Sequence, residues 1–141
     1  MLLGSFYGGL SIAASGTTAV HALSYPLGGK YRIPPGTANA ILLVPVLDFN
    51  RDAAWAKMAR VPATIGLPPR KNAGEAAAAV VERLREMMSA LKIPSRLSDL
   101  GIQADAIPEL AASAFGVKRL LDNNPKEMSL KDIEDLYNRI R

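Results

Sequence analysis

An all-α architecture is predicted for this 141-residue chain, because apolar residues recur at helical spacing in segment after segment and capping signatures open several of them. No run alternates with the period of two that a half-buried strand requires. The length fits one domain spanning residues 1–141, a size that buries roughly two-thirds of its unfolded surface. With 49% hydrophobic and 21% charged residues and no low-complexity tract, the composition is that of a globular chain, not a disordered one.

The first element is a helix whose apolar stripe is Leu3, Phe6, Tyr7, Leu10 and Ala14. Its other face is built of Gly4 and Gly8, with Ser5, Gly9 and Ala13 beside them, and small residues let another backbone approach closely. Burial on both sides is therefore expected. The first 29 residues carry no charged side chain, yet their many Gly, Ser and Thr residues suit neither a membrane span nor a secretory signal, and they read as protein interior. A chain this small rarely surrounds its own N-terminal helix, so either a missing part of the protein or a second chain is expected to cover it.

Thr17 to Ser24 reads as a short helix ended at Tyr25-Pro26, since the residue before a proline is pushed out of the helical region. Leu27-Gly28-Gly29 then reads as a turn and Lys30 to Pro34 as extended chain. Pro35-Gly36-Thr37 introduces the apolar run Ala38 to Val44, a buried helix that is kinked or restarted at Pro45 and reaches Phe49. A separate helix is expected over Ala53 to Val61, followed by a surface connection through Pro68-Pro69. Asn72 and Glu75 form an N-cap pair for a helix running to about Lys92, with Val80, Val81, Leu84, Met88 and Leu91 facing the core. After a loop over Pro94 to Gly101, Asp105 is expected to cap a helix through Pro108 to Phe115, closed by Gly116. Asn123-Asn124-Pro125 breaks the chain, and Ser129 with Asp132 opens a last helix presenting Ile133, Leu136, Tyr137 and Ile140. The total is about seven helices.

Composition narrows the chemistry. There is no cysteine, which excludes disulfides, thiolate nucleophiles and Cys-based metal sites, and the absence of both cysteine and an export signal favours the cytoplasm. Seven cations between residues 30 and 71 give the chain its net charge of +4, but they are dispersed and poor in interleaved aromatics, so nucleic acid is not an expected partner. Gly28-Gly29-Lys30 lacks the remainder of a phosphate loop, because Ser24 stands where a glycine is needed and Tyr31 where Ser or Thr is needed. The single histidine, His21, shares a helix face with Tyr25 if the helix extends that far. A lone histidine is usually a hydrogen-bonded core residue, and one imidazole cannot hold a divalent ion that needs four or more ligands.

The stretch from Gly16 through Val20-His21-Ala22 and Tyr25-Pro26-Leu27-Gly28-Gly29, then Ile33-Pro34-Pro35-Gly36-Thr37-Ala38-Asn39-Ala40-Ile41-Leu42-Leu43 to Phe49-Asn50, closely resembles the signature of the iron-containing (group III) alcohol dehydrogenases. Asp122-Asn123-Asn124-Pro125-Lys126, with Asp132-Ile133 and Leu136-Tyr137, is similar to that family's C-terminal end. The resemblance covers essentially the whole chain. It implies the later part of the family's helical domain, which is dehydroquinate synthase-like, without the dinucleotide-binding domain. For intact relatives it implies an NAD(P)-linked interconversion of alcohols with aldehydes or ketones, assisted by iron or zinc.

Residue by residue, the resemblance makes His21 a metal ligand and places Tyr25 near the substrate. Pro35 falls where the family has another ligand histidine, and proline offers no side-chain donor. Two further ligands would lie on an earlier helix. The expectation is thus a helical domain that binds no cofactor alone and does not catalyse by itself. Self-association into a homo-oligomer, with exchange of the N-terminal helix, is one expected partner arrangement, and complementation by a separate dinucleotide-binding chain is another.

Overall fold

A computed structural model describes residues 1–141 as a wholly helical structure. Eight α-helices follow one another: α1 (Leu2–Ser15), α2 (Ala19–Tyr31), α3 (Pro35–Met58), α4 (Val61–Thr64), α5 (Ala73–Ala90), α6 (Ile107–Phe115), α7 (Lys118–Leu121) and α8 (Leu130–Arg139). Two short 3₁₀ turns, Ser98–Leu100 and Ala104–Ala106, lead into α6. No helix is long and apolar enough to cross a membrane.

The main core forms where α2 packs between α3 and α6, with α8 closing over α6. Leu23 and Leu27 of α2 meet Ile41, Leu42 and Val46 of α3, Leu110 of α6, and Ile133, Leu136 and Tyr137 of α8 in one buried cluster. A smaller cluster of Val44, Met58, Ala77, Val80 and Val81 fastens α5 to the other part of α3. The long helix α3 is thus shared by both, and its apolar residues point around much of its circumference.

Several local expectations are corrected by this packing. The helix expected to stop at Tyr25 continues through Pro26 and both glycines to Tyr31, where Arg32 turns left-handed at φ 55° and returns its N–H to the Gly28 carbonyl. Proline in a helix removes one hydrogen bond, here the one that the Ala22 carbonyl would accept. Ala22, Leu23, Pro26 and Leu27 are all buried, and that apolar contact outweighs the lost bond. The same holds for α3, which passes through Pro45 without restarting and absorbs the segment expected as a separate helix from Ala53. Pro35 occupies the first turn of α3, where a missing N–H and a fixed φ cost nothing.

Local capping is borne out at two helices. The Asn72 side chain accepts the Glu75 N–H at the start of α5, and Ser129 and Asp132 form a reciprocal capping box at α8. α5 ends at Ala90, so Lys92 lies past its end, at φ 53°. Leu91, expected in the core stripe, is exposed. Asp105 does not cap α6: it sits inside the 3₁₀ turn, and Ala106 takes the cap position without a side-chain bond.

α1 stands apart from both buried clusters. None of its residues is buried, and Leu3, Phe6, Tyr7 and Leu10 all stand open to solvent, so it is not the interior of this chain. Gly16 directs it outward, with φ 71° and ψ −169°, a conformation essentially reserved for glycine. Asn123 fastens the joint by donating its side-chain amide to the carbonyls of Ser15 (2.8 Å) and Thr17 (3.3 Å).

Candidate functional site

His21 lies in the first turn of α2, its N–H bonded to the Thr18 carbonyl at 3.1 Å. Its ring is partly buried at the crossing of α2 and α3. That crossing is fixed by Ala22, Leu23, Ala38 and Leu42, all fully buried, so the backbones on either side of the imidazole cannot drift independently. A second restraint comes from α8. The Tyr137 hydroxyl, buried in the core, donates to the Leu23 carbonyl at 2.5 Å, two residues beyond His21.

Tyr25 follows His21 by one helical turn, which the continuation of α2 through Pro26 makes possible. It is 50% exposed, and no protein group engages its hydroxyl. Pro35 is exposed at the start of α3 and contributes no donor. The structure therefore keeps His21 and Tyr25 on one helix and sets the N-terminal part of α3 beside His21.

One residue of this site was not singled out from the sequence. Asn39, one turn beyond Pro35 on α3, brings its side-chain nitrogen to 3.4 Å from His21 Nε2. Its signal was present: it is the lone amide in the otherwise apolar run from Ala38 to Val44. What the run cannot disclose is which helix that amide meets.

Elsewhere around α2, Lys30 pairs with Glu109 of α6, and the carboxylate holds the ammonium above its ordinary pKa. This exposed pair joins the far end of α2 to α6 and does not reach His21. A cavity of about 730 Å³ lies between α3, α5 and the chain that follows α5, lined by Ile41, Val44, Met88, Ile93 and Ile140 among others. It contains none of His21, Tyr25 and Asn39.

The class is that of an all-helical domain with a solitary, partly buried imidazole at a helix crossing and an open tyrosine hydroxyl one turn away. Residues 1–141 match the C-terminal region of the Fe-containing alcohol dehydrogenase family. The chain belongs to that family. It is 34% identical to lactaldehyde reductase of Escherichia coli K12 over 138 residues, covering 97% of this chain and 36% of that protein. It is 35% identical to long-chain-alcohol dehydrogenase 1 of Geobacillus thermodenitrificans, again covering 97% of this chain and 35% of the relative. An alcohol dehydrogenase from an archaeal halo-thermophilic Red Sea brine pool superposes with a TM-score of 0.87 at 28% identity, over 96% of this chain and 35% of that one. A 1,3-propanediol oxidoreductase superposes with a TM-score of 0.84 at 27% identity, over 89% of this chain and 33% of its own. The chain thus spans about a third of the length of these relatives.

For a metal of the kind the family's name carries, the donor chemistry here is that of one ligand position. Nε2 of His21 meets only the long contact to Asn39 Nδ2, and a neutral imidazole offers one ring nitrogen to an ion. No group of three or more His, Cys, Asp or Glu residues comes together anywhere in the chain. His21 fits such a site, and the remaining acidic or imidazole ligands have no counterpart among these residues.

Proposed function

We propose that this chain is the metal- and substrate-facing helical part of an NAD(P)-linked alcohol/aldehyde oxidoreductase. Catalysis then depends on a dinucleotide-binding region and on further metal ligands, which come from outside these residues, including from a separate complementing chain. The observation that carries the reading is the His21 imidazole held at the α2–α3 crossing with Tyr25 one turn along the same helix.

In this reading the overall reaction moves a hydride from the carbinol carbon to the nicotinamide and releases the hydroxyl proton. A metal ion, when bound, supplies Lewis-acid polarisation of the substrate oxygen. His21 holds one side of that ion. Tyr25 hydrogen-bonds the substrate oxygen or its proton acceptor, as its unengaged hydroxyl allows. Tyr137, through the Leu23 carbonyl, keeps the carrying helix in register. The protein's share of the chemistry is this positioning. The absence of cysteine supports a cytoplasmic setting.

Metal content and NAD(P)H binding of the purified chain, with molar mass read in the same chromatographic run, test the proposal. Neither group is expected on the chain alone, and both are expected once a dinucleotide-binding partner is added. Stoichiometric iron or zinc together with cofactor binding on the unaided chain would overturn its dependence on a partner.

A second reading rests on α1. Its bare apolar stripe is a surface that water disfavours, and association of copies through this helix would cover it, making the chain a self-assembling module.

A further inference from the structure

We propose that the cavity between α3, α5 and the chain after α5 is a binding site for a small amphiphilic carboxylate, with an alkyl tail on its apolar floor and the carboxylate held by Lys92 and Arg139. The cavity includes neither His21 nor Tyr25, so the proposal stands apart from the functional reading above.

Its volume of about 730 Å³ lies within the roughly 300–1,000 Å³ of small-molecule sites. The apolar floor is Ile41 and Val44 of α3, Met88 of α5, Ile93 beyond it and Ile140 after α8. One wall is tied in place: the buried Leu97 donates its N–H to the Ile140 carbonyl at 2.6 Å, which joins the chain after α5 to the end of α8. The cavity is therefore preformed and gives a tail somewhere to leave water.

The charges around it leave a positive excess open. Asp48 pairs with Arg51 at 3.6 Å, Asp99 accepts the backbone N–H of Arg96 at 3.2 Å, and Arg85 is bound to Glu82. Lys92 and Arg139, which also line the cavity, have no carboxylate partner. Two unpaired cations beside an apolar floor fit an anionic head with an apolar tail, and they disfavour a cationic one.

The backbone at Lys92 is an independent sign. α5 ends in a Schellman motif: the Ile93 N–H reaches the Met88 carbonyl and the Lys92 N–H the Ser89 carbonyl, both at 3.0 Å. Lys92 takes the left-handed position at φ 53°, where glycine is the usual residue because a Cβ is strained there. A lysine at this position sacrifices local stability and gains an ammonium on the cavity wall. Met88 and Ile93, which the motif brings together, are both part of the floor.

The test is calorimetric titration of sodium octanoate, below its micelle concentration, into the full chain, Lys92→Gly and Arg139→Gln, with acetate and octylammonium as control ligands. Methyl NMR locates the binding, and thermal melts check folding. Saturable octanoate binding is expected, with shifted methyl signals at Met88, Ile93 and Ile140. Lys92→Gly should weaken it about tenfold while melting at the same or a higher temperature, since glycine relieves the left-handed strain. Arg139→Gln should weaken it similarly. Octanoate binding that Lys92→Gly and Arg139→Gln leave unchanged would overturn the proposal. So would octylammonium or acetate binding as tightly as octanoate, since the first denies the choice of charge and the second the use of the floor. Shifts confined to the open apolar residues of α1, or no saturable octanoate binding, would overturn it as well.

Discussion

Asn50 and Asn124, 74 residues apart in sequence, exchange two side-chain amide hydrogen bonds, each carboxamide donating to the other at 2.9 and 2.8 Å. The pair bolts the middle of α3 to the turn that follows α7. Asn50 is 4% exposed, so its amide has no recourse to water. Lys126, two residues further on, adds a salt bridge to Asp52 at 2.9 Å and lies over the Phe49 ring.

Removing either amide should therefore destabilise the fold. Asn50→Ala strips Asn124 Oδ1 of its donor and leaves its Nδ2 only the bond to the Lys126 carbonyl, and a loss of about 1–3 kcal/mol is expected. In a double-mutant cycle by urea denaturation, Asn50→Ala and Asn124→Ala should be clearly sub-additive, because each removes the same two bonds. Additive losses would show that the pair is not an energetic unit.

Tyr137 should govern alkaline stability. Burial pushes its hydroxyl pKa well above the ordinary value of 10.0 for a tyrosine. A proton held more tightly by the folded chain gives stability that is whole below the unfolded value and is lost as pH rises past it. Unfolding followed by circular dichroism should thus ease progressively above about pH 10. Tyr137→Phe should be less stable at neutral pH by about 1 kcal/mol, through loss of the bond to Leu23, and should lose this alkaline sensitivity.

The helix-opening box at α8 gives the opposite sign. Asp132 accepts from the Ser129 hydroxyl and backbone N–H, and these bonds hold its carboxyl below the usual range. Its contribution is present above the unfolded value near 3.8 and is lost as pH falls through the lowered one. Ser129→Ala should cost about 1 kcal/mol at pH 7 and much less at pH 2, as read from thermal melts.

Charge placed on α1 should alter assembly and not folding. The paired substitution Phe6→Asp and Leu10→Asp puts two carboxylates in the exposed stripe, away from both buried clusters. Sedimentation is expected to give a self-associated unaltered chain and a monomeric variant with the same melting temperature. A monomer in both cases would refute association through this helix.

In an otherwise complete relative, where the remaining metal ligands are present, replacing the residue at the position of Pro35 with histidine is expected to raise Zn²⁺ affinity about tenfold, since Pro35 stands at an exposed first-turn position. Calorimetry showing no change would refute the alignment of Pro35 with a ligand position.

How much of this could be read from residues alone depended on the range of the interactions. The caps at Asn72 and Ser129 were legible because donor and acceptor lie within four residues, and the apolar stripe of α8 because it follows one period. The candidate site was legible only through the resemblance: the motif around His21 and Tyr25 marked the family, and the roles expected of His21, Tyr25 and Pro35 came with it. Pro26 and Pro45 read as breaks, because a local rule counts the hydrogen bond lost but not the burial of Leu23, Leu27, Ile41 and Leu42 around them. The glycines of α1 read as packing surface, although in this chain that helix meets no partner. Asn39 is the clearest case. Sequence by itself determined that an amide sits in an apolar helix; only the crossing of α2 and α3 decided that it faces His21, because contact between helices is set by how whole apolar faces fit together and not by the spacing of residues along either one.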